Sequence, residues 1–182
     1  MEDISNEEVK AQKSMNSNSI YYALIISAAM IVYGLIMYVA GLSLNKYMSY
    51  PSYLLMIIGM IVGTIAYRDK YNNRFLNYGK SFTSSFLIGL YASIVGAIWV
   101  FIFFKFIAPE LMSQMLEQAR EKIIEKNPNM SEEQIQMALS YAQKFMSPVM
   151  MIFWTLFGGA FWSAIFSLII AIFVKKEETT LI

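Results

Sequence analysis

Four stretches of this chain contain no Asp, Glu, Lys or Arg: residues 20–44, 47–67, 81–104 and 147–174. A helix needs about 20 residues to cross the ~30 Å hydrocarbon core of a bilayer, and each stretch is long enough. In lipid the backbone must satisfy its own hydrogen bonds, so only helices and closed barrels span. Barrel strands are about 9–11 residues long and alternate in polarity. Unbroken apolar runs of this length therefore predict an all-α polytopic membrane protein. Its four transmembrane helices are expected at about 20–42, 50–67, 82–105 and 148–174. Composition agrees: 57% of residues are hydrophobic and 15% charged, against about 25% charged in typical globular domains.

The second stretch is the least regular, because Ser49, Pro51 and Ser52 interrupt its start. Pro51 fits a first helical turn, where its missing N–H costs little. A re-entrant or interfacial segment is the alternative for that stretch. Residues 1–19 are polar and of mixed charge, without the cationic start of a signal peptide. They are expected to form a mobile cytoplasmic tail ahead of an uncleaved anchor, and residues 175–182 a second cytoplasmic tail. Lys and Arg near span ends favour the cytoplasmic side. Arg68, Lys70, Arg74 and Lys80 crowd the second loop, while Lys46 stands alone in the first. Both termini and the second loop are therefore expected in the cytoplasm.

The third loop, 106–147, is expected to be an external, periplasmic amphipathic helical hairpin. After Pro109, Leu111, Met112, Met115, Leu116, Ala119, Ile123 and Ile124 recur at helical spacing. Asn127-Pro128-Asn129 breaks the helix. Ser131-Glu132-Glu133-Gln134 reads as a capping box that starts the second arm, which carries Ile135, Ala138, Leu139, Ala142, Phe145 and Met146 on one face.

Chemistry is sparse. The chain has no Cys and no His, so thiolate nucleophiles, Cys–His metal sites and the commonest general base are excluded. No Asp, Glu, Lys or Arg lies in the central part of a span, where proton relays and ion-coupled transporters keep theirs. Neither a phosphate-cradling Gly-rich loop nor a nucleophile elbow occurs. No catalytic residue, cofactor or metal is expected, and a net charge of +1 gives no field for nucleic acid.

Small residues at four-residue spacing do stand out. Gly59 and Gly63 mark the second span, Gly89 and Ser93 the third, and Gly159, Ser163 and Ser167 the fourth. Such stripes let helix backbones approach closely in lipid. Packing within the bundle is the plainer expectation, and an outward face for a membrane protein partner or a second copy the sharper one. In the hairpin, Met112, Met115, Leu116, Ile135 and Leu139 are the candidate partner face, since methionine surfaces adapt to partners.

From Leu76 onward, particular motifs add to this reading. They are Asn77-Tyr78-Gly79-Lys80-Ser81-Phe82, the junction Phe104-Lys105-Phe106-Ile107-Ala108-Pro109-Glu110, and Phe145-Met146-Ser147-Pro148 ahead of Gly158-Gly159 and Lys175-Lys176. As a set this resembles the bacterial membrane proteins grouped as domain of unknown function 4199, found mainly in the Bacteroidota. The first two spans share only hydropathy with them. The resemblance implies a four-span inner-membrane protein and carries no activity, cofactor or site residue. The expected function is a non-enzymatic accessory or scaffold subunit that binds a partner through the hairpin or a small-residue face. The alternative is a small lipid or hydrophobic-solute carrier using the bundle interior.

Overall fold

The computed structural model describes residues 2–177, with side chains from Ser14 onward. Its helices are α1 (Glu2–Val39), α2 (Ser49–Tyr71), α3 (Tyr78–Ile102), α4 (Glu110–Lys126), α5 (Glu132–Phe145) and α6 (Pro148–Val174). A 3-10 turn, Lys46–Met48, precedes α2, and a π-helical turn, Phe103–Ile107, follows α3. Four segments are long and apolar enough to cross a membrane: Ser14–Val39, Lys46–Tyr71, Tyr78–Ile107 and Pro148–Val174. The described residues form no strand, only an isolated antiparallel bridge between Leu76 and Lys176. The chain is all-α and multi-pass.

Helix ends follow from local chemistry. α1 closes in a Schellman motif: Gly41 takes φ +69°, its N–H bonds the Tyr38 carbonyl, and the Leu42 N–H bonds the Met37 carbonyl. Asn77 caps α3 by accepting from the Lys80 N–H at 2.9 Å. Pro51 lies in the first turn of α2, which runs unbroken for 23 residues, so no re-entrant loop forms there. The capping box of Ser131 and Gln134 starts α5. At its other end the chain departs from expectation. The stretch read as a tail continues helical, with α1 beginning at Glu2. No Pro or Gly interrupts it, and Met15, Asn18 and Ser19 are buried.

The chain divides into two compact units. One comprises α1, α2, α3 as far as Val95 and α6 from Phe157; the other runs from Gly96 to Leu156. The first unit is built opposite to a water-soluble core. Besides Ala23, Ile26, Met60, Ile88 and Ile170, it buries Asn18, Ser27, Thr64, Ser85, Ser163 and Ser167. Its surface shows Leu24, Val32, Leu54, Ile58, Val62, Ile172 and Phe173. Water-soluble monomers rarely expose apolar area on this scale. Hydrocarbon solvates it, and close contact of small side chains then holds the helices together. In the second unit, α4 and α5 pack on each other.

Candidate functional site

In the first unit, small residues lie where helices touch. A methyl group added at Gly59 would collide with Ile26, and one at Gly63 would come within 2.7 Å of Ile88 and 2.9 Å of Tyr22. The Asn18 amide donates to the Gly63 carbonyl at 3.0 Å, fixing α1 against α2 at this crossing. Gly89 lies against Ser163, and Gly159 against Ser93. Stepping four residues along α3 therefore steps four back along α6, so the two stripes face each other antiparallel.

Buried hydroxyls occur on all four helices of this unit. Thr64 donates to the Met60 carbonyl at 2.7 Å and lies 3.1 Å from the Ser85 hydroxyl. A hydroxyl carries one proton, and that of Thr64 is committed to Met60, so Ser85 is the donor. The hydroxyls of Ser19, Ser81, Ser84, Ser163 and Ser167 are buried without a hydrogen-bond partner. A helical serine can turn its hydroxyl to the carbonyl four residues back, but none of these five does so here. These residues can pack and hydrogen-bond, and they hold no group that ionises near neutral pH.

One end of this unit is tied by polar contacts. The Arg68 guanidinium donates to the Val174 carbonyl, the last of α6, at 3.1 Å and to the Asp69 carboxylate at 2.8 Å. The Leu76 and Lys176 backbones exchange two 2.8 Å hydrogen bonds. Tyr67, 1% exposed, stacks on Tyr71 beside Met15 and Leu76. Asn73 and Arg74 turn the chain with φ of 48° and 69°.

The second unit holds the residues expected as a partner face. Ile135 is buried, and Met112, Met115, Leu116 and Leu139 are half-buried. Leu111 is buried too, and Arg120 on α4 reaches Glu132 on α5 at 3.4 Å. α4 and α5 pack on each other. Exposed instead are Glu117, Glu121 and Glu125 on α4, and Met137, Tyr141 and Phe145 on α5. No group of His, Cys, Asp or Glu placed to hold a metal occurs among the described residues.

A family model matches residues 21–176, which takes in the whole α4–α5 pair and nearly all of the four spans. The chain belongs to the family described as Protein of unknown function (DUF4199). The DUF4199 match extends upstream of Leu76 through α2 and into α1. The description assigns no activity, and no curated protein and no solved structure matches the chain.

Sequence reasoning missed two contacts. Arg68 reads as a charge snorkelling at a span end, yet it caps α6. Asn18 reads as part of a polar tail, yet it bonds α2. Polar residues a turn inside or beyond an uncharged block were the available signal, but their partners are 106 and 45 residues away in sequence.

Proposed function

We propose that this DUF4199 member is a non-enzymatic accessory or scaffold subunit of the bacterial inner membrane. Both termini face the cytoplasm, and the α4–α5 pair is a periplasmic hairpin that binds a partner protein. The observation that carries the reading is the construction of the pair. α4 and α5 pack on each other, Leu111 and Ile135 are buried, and an acidic ridge of Glu117, Glu121 and Glu125 stays exposed. The small-residue positions offered as the other docking face support this choice, because Gly59, Gly63, Gly89 and Gly159 are covered by side chains of the same chain.

The test is extraction into native nanodiscs followed by mass spectrometry of what co-purifies. The expected result is a stoichiometric protein that is lost from the Glu117→Lys/Glu121→Lys variant. That variant changes only exposed side chains, whereas Leu116 or Leu139 would disturb the pair itself. A chain that purifies alone overturns the reading. A second reading, a small lipid or hydrophobic-solute carrier, is favoured by the five buried hydroxyls without a partner, which suit a polar headgroup. One enriched lipid or solute in the same spectra, lost from Ser163→Ala/Ser167→Ala, would establish it.

A further inference from the structure

α5 carries two apolar stripes. Ile135, which is buried, and Leu139, which is half-buried, share one stripe, whereas Met137, Tyr141 and Phe145 step by four along another side of the helix. These three are 58%, 57% and 55% exposed, so packing against α4 accounts for none of them. We infer that α5 lies in the headgroup layer of the bilayer, with Met137, Tyr141 and Phe145 turned into the lipid boundary.

Continuity with a membrane span argues for this occupant. The Phe145 ring stacks on Trp154, centroids 6.3 Å apart and planes 27° apart. Trp154 lies in the second turn of α6, within the membrane-spanning segment and 47% exposed. Tryptophan near a span end marks the headgroup level, so the stripe begins at that level. Its residues fit the same layer. Tyr141 pairs an apolar ring with a polar tip, and the Lys144 ammonium sits 5.8 Å from that ring's centroid. Lys105, in the π turn ending the third span, holds its ammonium 5.0 Å from Phe101 and 5.5 Å from Phe106 in the same way. A cation beside an aromatic ring serves anionic phosphate and acyl chain together, the pattern of an interfacial amphipathic helix. The inference rests on the membrane-spanning reading of α3 and α6 and is independent of any partner on the acidic ridge.

The chain has no native Cys, so single cysteines at Met137, Tyr141 and, as an exposed control on α4, Gln118 can each carry an environment-sensitive NBD probe. The purified protein is placed in nanodiscs of phosphatidylethanolamine and phosphatidylglycerol. Shallow nitroxide-labelled lipid is expected to quench positions 137 and 141 several-fold more than position 118, with aqueous iodide ranking them in reverse. Equal iodide quenching at all three positions overturns the inference. Protection from both quenchers at 137 and 141 assigns the stripe to a second copy of the chain and overturns it as well.

Discussion

Adjacent glycines in α6 show how much a single residue's place matters. Gly158 has open space where a side chain would go, while Gly159 faces Ser93 on α3. Gly158→Ala is expected to leave thermal stability unchanged or raise it by at most about 1 kcal/mol, the helix-propensity gain. Gly159→Ala is expected to lower it by about 1–3 kcal/mol, since overpacking pushes a closely packed helix off its partner. Thermal unfolding of the two purified variants checks the contrast, and equal effects would refute the seam. The Thr64–Ser85 pair yields a second expectation. Polar pairs between membrane helices average about 0.6 kcal/mol. A double-mutant cycle of Thr64→Val and Ser85→Ala should return a coupling of that size, and zero coupling would break the pair. Gly59, Gly63, Gly89 and Gly159 were recognisable from spacing alone. What each touches was not, because spacing on one helix leaves its neighbour unspecified.

Helix ends and helix pairs carry the next set of effects. Arg68 bonds the terminal carbonyl of α6 from the end of α2, adding a cation where the helix dipole is negative. Arg68→Met should speed hydrogen exchange at the Lys175 and Lys176 amides and lower stability by about 1 kcal/mol. Unchanged exchange there would show that the tie is idle. Ser131→Ala should cost α5 about 1 kcal/mol of cap, seen as faster exchange at Gln134, whose N–H the Ser131 hydroxyl accepts. The capping box was legible because its four residues are contiguous. The first turns of α1 were not, since polar composition says where a segment is solvated and not whether it stays helical.

For the whole molecule, placing α4 and α5 in the periplasm is a statement about topology. Ser140 is exposed on α5, and the absence of native cysteine makes Ser140→Cys a clean reporter. An impermeant maleimide should label it in intact spheroplasts as fully as after permeabilisation. Labelling only after permeabilisation would invert the orientation and place the acidic ridge in the cytoplasm, before a different set of partners.

The sequence by itself determined the solvent and the class of structure. Uncharged runs of more than 20 residues admit only membrane helices, and Pro, Gly, Asn and Ser at their edges set most of the ends. Tertiary structure alone decided which stripes are spent on internal packing and which stay free. Met112, Met115, Leu116, Ile135 and Leu139 look alike as one apolar face in one dimension, yet in the fold Ile135 is buried and the other four are half-buried. Met137, Tyr141 and Phe145 form no separate stripe in a reading of the sequence, yet all three remain exposed on α5. Hydrophobicity fixes that a residue leaves water, but only the position of its neighbours fixes whether protein or lipid receives it.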